Sequence, residues 1–337
     1  MTNLKLTFLV CAFALQYATS FSQTPWKGKI TYTYSGANIK EFNLNAKTDK
    51  VILKEAKDPF ITRSGEVYFV SDKFGKRNRL IRKSAPPFIQ FKDVLDLSSE
   101  NPLYKKNLEE YSFIKGTGNS DVLDRIAEPK VSPDGKFLAI TIFGFGEHVF
   151  NKNCVAVYSL GTNELLAKFD DKYYGTWTPD NRLVMAGSHK TVSVDGNEYH
   201  SKNPGIFVTD PTFANVVRID PQLDDPAPYH PIVSPDGKRV AFIINNHVWV
   251  MDMDGKNMKQ LTDVDNDNIE TFPQWSPDGK YVAAWCYKTF EKSYFTAIAI
   301  VPSNAPRPVV LTNKAAVWPR DPKNFRISGG SNTFIWK

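Results

Sequence analysis

The sequence predicts an all-β fold, a six-bladed β-propeller of four-stranded blades, with the ring closed by N- and C-terminal strands in one blade. Three observations predict it. A tight turn followed by an apolar strand recurs as VSPDGKFLAI from Val131, VSPDGKRVAF from Val233 and WSPDGKYVAA from Trp275. With weaker copies included, the turns start at Thr62, Ser132, Thr178, Ser234, Ser276 and Ser328, a spacing typical of repeats built from several short strands. The two ends also complement one another: ITYTYS, IKEFNL and KVILK have no turn before them, and FRISGGSNTFIWK has no strands after it.

In chain order, residues 1–22 read as a secretory signal peptide. Lys5 supplies the positive start, LTFLVCAFAL the apolar stretch, and ATS or SFS the small residues for cleavage. The apolar stretch is shorter than the roughly 20 residues that span a bilayer, and no later segment is a transmembrane candidate. The propeller is expected over residues 23–337, in the periplasm or outside the cell. Cys154 and Cys286, in the apolar runs CVAVY and AAWCY, are expected to be buried thiols. The net charge of +6 is scattered apart from a short cluster between Lys73 and Lys83, which argues against a nucleic-acid reader.

Within each repeat, Ser suits the first turn position, Pro presets φ at the second and Gly suits the fourth. Two further strands follow the hairpin, as in HVWVMD with MKQLT, CVAVYSL with ELLAKF, and TAIAIV with PVVLT. Trp177 and Trp275, just before their turns, are expected to wedge between blades. Residues 84–128 break the rhythm and read as an insertion between the second and third blades. NPLYKKNLEEYSFI inside it has helical spacing after an Asn/Pro start.

The recurrent SPDGK, the Trp or Val before it, and VWVMDMDGKNMKQLT resemble the TolB-type propeller with its WD40-like (PD40) repeats. The match is good over residues 128–314. The namesake is periplasmic and binds a peptidoglycan-associated lipoprotein, so the resemblance implies an envelope partner. The namesake also has an N-terminal α/β domain, which is not expected here, and no GxSxG nucleophile elbow of the peptidases with such propellers occurs.

The loops between blades are acidic and aromatic: FDDKYYGTW, DPQLDDPAPYHP, DVDNDNIETFP and VWPRDPKNF. They line one mouth of the central funnel, and an acidic mouth on a basic chain predicts a cationic or basic guest. Tyr173, Tyr174, Asp224, Asp225, Tyr229, His230, Trp318 and Arg320 are the binding candidates. Asp263, Asp265, Asp267 and Glu270 can offer carboxylates to a calcium ion, although the run lacks the glycine and late glutamate of an EF-hand. The expected function is a non-catalytic, monomeric binding module for an envelope protein or polysaccharide. The alternative is a metal-assisted carbohydrate-active enzyme, since oligogalacturonate lyases resemble this blade type and use funnel histidines with a divalent metal. His230 is the histidine placed in that mouth.

Overall fold

The computed structural model describes residues 27–34, 38–71, 79–85, 91–96, 123–144, 154–187, 189–194, 197–202, 204–221, 227–263, 268–290, 293–311, 319 and 334–337. Every regular element among them is a strand. Blade 1 begins with β1 (Lys29–Tyr34), β2 (Asn38–Asn43) and β3 (Thr48–Lys54). Blade 2 is β4 (Ala56–Ile61), β5 (Val67–Ser71), β6 (Arg79–Lys83) and β7 (Phe91–Asp96). Blade 3 is β8 (Leu123–Val131), β9 (Phe137–Gly144), β10 (Cys154–Ser159) and β11 (Leu165–Asp170). Blade 4 starts with β12 (Lys172–Trp177) and β13 (Leu183–Gly187). A separate hairpin, β14 (His189–Val194) with β15 (Asn197–Lys202), then precedes β16 (Ile206–Thr209) and β17 (Val216–Arg218). Blade 5 is β18 (Tyr229–Val233), β19 (Arg239–Ile244), β20 (His247–Asp252) and β21 (Lys259–Gln260). β22 (Thr262–Asp263) leads into blade 6, formed by β23 (Asn268–Trp275), β24 (Tyr281–Phe290) and β25 (Ser293–Pro302). β26 (Val309–Val310) pairs in parallel with β22.

The last strand, β27 (Phe334–Trp336), is the innermost strand of blade 1. It pairs antiparallel with β1, placing Ile30 opposite Trp336 and Tyr32 opposite Phe334. The two ends of the chain therefore share a sheet and the ring is closed. One detail differs from the sequence pattern. Counting from Ser328 makes Phe334–Trp336 a strand that follows a turn, whereas it holds the place of β12, β18 and β23, with Trp336 where Trp177 and Trp275 stand. The chain ends meet where the other blades have their turn: Lys337 N donates to Lys29 O at 2.9 Å, and Lys29 N donates back to Lys337 O.

Of the segment 84–128, residues 91–96 are the outer strand of blade 2 and residues 123–128 begin the inner strand of blade 3. The stretch 97–122, with its predicted helix, lies outside the described residues, as do the predicted signal peptide and residues 320–333.

Turn chemistry repeats as the sequence demands. Ser132, Ser234 and Ser276 each donate from Oγ to the Asp two residues on, at 2.6, 2.6 and 2.7 Å, and each accepts at Oγ the N–H of the first strand residue after the turn, at 2.9 Å. Gly135, Gly237 and Gly279 close these turns at φ of 75°, 72° and 68°, and Asn181 takes the same left-handed conformation at 63° in the fourth copy.

The core is six clusters, one between each pair of neighbouring blades. Leu80, Ile140 and Tyr158 belong to blades 2 and 3, and Val155, Leu183 and Met185 to blades 3 and 4. Val208, Phe242 and Met251 join blades 4 and 5, and Ala241, Trp275 and Val301 join blades 5 and 6. Trp285, Phe334 and Tyr32 join blades 6 and 1, and Ile39 and Phe69 join blades 1 and 2. Cys154 and Cys286 are buried in blades 3 and 6 with no disulfide between them, and burial pushes the Cys154 thiol up to about 12. The wedge role expected of the tryptophans is realised: Trp177 Nε1 donates to Lys130 O at 2.8 Å and Trp275 Nε1 to Ile232 O at 2.9 Å, each reaching the preceding blade.

Trp275 is 4 % exposed and lies under the Arg239 guanidinium at 4.6 Å, while Phe334 is fully buried against Trp285. Trp275→Ala and Phe334→Ala are each expected to cost about 3–5 kcal/mol in chemical denaturation. A loss below about 1 kcal/mol for either would mean that its inter-blade wedge does not hold the ring.

Candidate functional site

The innermost strands share a feature that positions everything on the axis. Four residues before each turn the chain bulges and φ becomes positive, at Asp58 (49°), Glu128 (53°), Tyr174 (56°), His230 (50°) and Phe272 (50°). The ladders shift register at the same points in β4, β8, β12, β18 and β23. The next residue is Pro59, Pro129, Gly175, Pro231 or Pro273. Proline is tolerated on an edge strand at a bulge, because no ladder needs its missing N–H. The bulges are tied to neighbouring blades: Asp58 N donates to Thr33 Oγ1 at 3.1 Å, and Tyr174 N to Thr141 Oγ1 at 3.2 Å.

Each bulge re-aims a side chain, and on blades 4 to 6 three of these rings meet. His230 lies 3.9 Å from Tyr174 and 4.0 Å from Phe272 between ring centroids. Tyr173 stacks beside Tyr174 at 5.8 Å, and Tyr229 sits 4.9 Å from His230. His230 Nδ1 accepts the Phe272 N–H at 3.3 Å and the Thr271 hydroxyl at 2.7 Å, which leaves the ring proton on Nε2. Burial, with the charge of Lys130 adding to it, holds this imidazole well below its ordinary pKa. His230 is thus a neutral ring in an aromatic plug.

The three rings stand between two faces of the ring of blades. On the face carrying the turns lies a cavity of about 990 Å³, reached by Phe60, Lys130, Thr176, Ile232, Gln274 and Ile335 from the six innermost strands. Every innermost-strand residue lining it lies at or beyond the bulge on the turn side, so the bulge ring is its floor. On the opposite face, where the inter-blade connections enter, Tyr173, Tyr174 and Tyr229 are half-buried and Ile269 is 49 % exposed.

The predicted binding residues are only partly assembled. Tyr173, Tyr174, Tyr229 and His230 come together, and none of them lines the large cavity. Asp224, Asp225, Trp318 and Arg320 lie outside the described residues. Nearby Asp220 is 7 % exposed and accepts Ile206 N at 2.6 Å and Arg218 Nη2 at 2.8 Å, a structural anchor. Of the predicted calcium ligands, Asp263 is exposed, and Asp265 and Asp267 lie outside the described residues. Glu270 is fully buried; it accepts Val248 N at 3.0 Å and the Thr262 hydroxyl, and faces His247 Nδ1 at 3.9 Å. Among the described residues no three His, Cys, Asp or Glu side chains converge as a metal set. The bulge ring and the half-buried Lys130 were not singled out from the sequence, although the Pro or Gly three residues before each turn marks the ring.

The chain's sequence matches neither a family model nor a curated protein. Solved structures do match. TolB from Acinetobacter baumannii aligns with TM-score 0.56 and 15 % identity over 96 % of this chain and 70 % of that one. A protein assigned as TolB from Agrobacterium tumefaciens aligns with TM-score 0.52 and 15 % identity over 92 % and 98 %. The chain has a TolB-type propeller fold. Oligogalacturonate lyase from Vibrio parahaemolyticus aligns with TM-score 0.50 and 9 % identity over 84 % and 78 %. At these identities the likeness is one of fold, and TolB-type blades host more than one function. No helix among the described residues is long and apolar enough to cross a membrane.

The two histidines of this region should titrate in opposite senses. The Glu270 carboxylate raises the His247 pKa, with burial pulling the other way, so His247 stays protonated above the pH at which a free imidazole loses its proton. His230 should still be neutral at the pH where a free imidazole is half protonated, because burial first and the Lys130 charge second disfavour its charged form. Histidine C–H shifts followed by NMR check both, and Glu270→Gln should bring His247 back down. A midpoint for His230 near the free value would contradict its placement in the plug.

Proposed function

We propose that the chain is an exported binding module that docks an envelope protein or polymer on the face where the inter-blade connections enter. The observation that carries this is the aromatic floor: Tyr173, Tyr174 and Tyr229, from two blades, gather around a histidine held neutral by burial. Half-buried tyrosines present apolar faces with polar tips, suited to a peptide or to sugar rings. Asp263 is exposed on the same face and favours a guest with basic groups, while Asp170 is paired with Lys168 at 3.0 Å. The TolB-type fold supports a protein partner and a periplasmic setting, as the signal-like N-terminus does. The lyase-type alternative needs several histidines converging on a metal, and one nitrogen of His230, Nδ1, is already taken by Thr271 and Phe272.

The test compares the full chain with Tyr173→Ala/Tyr229→Ala in affinity capture from envelope extract, with quantitative mass spectrometry. A component retained by the native chain should fall at least tenfold with the double variant. Equal retention would remove this face from the binding reaction. Manganese-dependent release of unsaturated uronate from oligogalacturonate would favour the enzyme instead.

A further inference from the structure

The turn-face cup is a second recess, lined by none of the tyrosines of the opposite face. Its volume of about 990 Å³ lies at the top of the usual range for small-ligand clefts, roughly 300–1,000 Å³. Five basic side chains line it against three acidic ones. Two of the acids are already engaged: Asp134 accepts Ser132 Oγ at 2.6 Å and Lys136 N at 3.1 Å, and Glu66 faces Arg82 at 3.5 Å and accepts Ser64 Oγ at 3.4 Å. Lys130 is different. It projects from β8 two residues beyond the bulge at Glu128, close to the cup floor. Among the described residues its ammonium has no hydrogen bond and no ion pair within 4 Å. Burial lowers its pKa, against the opposing charge of Glu128, and its own charge is felt by His230. Lys130 is half-buried on the cup wall, so its ammonium is open to the cup and available to an anion that enters it.

The form of the cup specifies the rest of the ligand. The cavity's lining stops at the level where Tyr174, His230 and Phe272 meet, and a recess that ends there with a half-buried cation close by suits an anionic group at the end of a chain. Its walls are innermost strands, each standing at the end of its sheet and paired on one side only. Such edges offer main-chain donors and acceptors at the spacing of an extended peptide. Phe60 and Trp177 on the wall add apolar surface for a side chain near the terminus.

We propose that the turn-face cup binds the free C-terminal carboxylate of an extended peptide, with Lys130 as its counter-charge. The test is affinity selection with mass spectrometry on the full chain. Two randomised acetyl-hexapeptide libraries are used, one ending in the free acid and one in the amide. Acid peptides should be retained at least tenfold over amides. Lys130→Met should abolish that preference, while Lys136→Met at the rim keeps it. Equal retention of acid and amide, no retention of either, or retention of oligogalacturonate in place of peptides would overturn the proposal. If Lys130→Met fails to fold, the acid–amide comparison on the native chain decides, with Lys130→Arg expected to keep the preference. Tyr173→Ala/Tyr229→Ala should leave it unchanged, so failure here and failure on the tyrosine face are separate results.

Discussion

Ring closure is the constraint on which everything else depends. A single four-stranded blade has two apolar faces and cannot bury either alone, so each face must find a neighbour. Six inter-blade clusters do this around the ring, and the circle is complete only because Phe334 and Trp336 pair with Tyr32 and Ile30. Without that pairing, blade 1 would lack its innermost strand and the cluster around Trp285 would lose two of its buried rings. The strands nearest the axis would then have no fixed relation to one another, and neither face of the channel would exist as a surface.

The bulge ring shows how one local device serves both packing and site geometry. A bulge increases twist and re-aims the residue that carries it. Here it occurs at the same level in five innermost strands, with its backbone N–H tied to a neighbouring blade at Asp58, Tyr174 and Phe272. The residue that occupies it then sets local character. Rings on blades 4 to 6 meet one another, while Asp58 and Glu128 on blades 2 and 3 are buried carboxylates. The result is two faces of different chemistry back to back, one carrying tyrosines and one a recess lined by a half-buried lysine.

The positive-φ residues are legible in hindsight. DPF, EPK, YGT, HPI and FPQ stand at fixed distance from the turns, and in each a Pro or Gly follows the bulged residue. Their strand pattern alone gave no reason to separate them from ordinary edge residues. His230 illustrates the limit. Its place in a connection beside Tyr229 was clear, but whether it was accessible depended on Tyr174 from the preceding blade and Phe272 from the following one. Glu270 is similar: its position after an Asp-rich run suggested a cation ligand, and its burial with Oε2 accepting Val248 N and the Thr262 hydroxyl depended on blade 5.

By itself the sequence determined the blade type and the union of the two ends, because the first follows from local turn chemistry repeated along the chain and the second from the incomplete units at its two ends. Only the tertiary structure decided which mouth is deep, where the three rings meet and which charges lack a partner. Those properties are sums over residues from six separate repeats, brought to one axis by the closed ring, and no single repeat contains them.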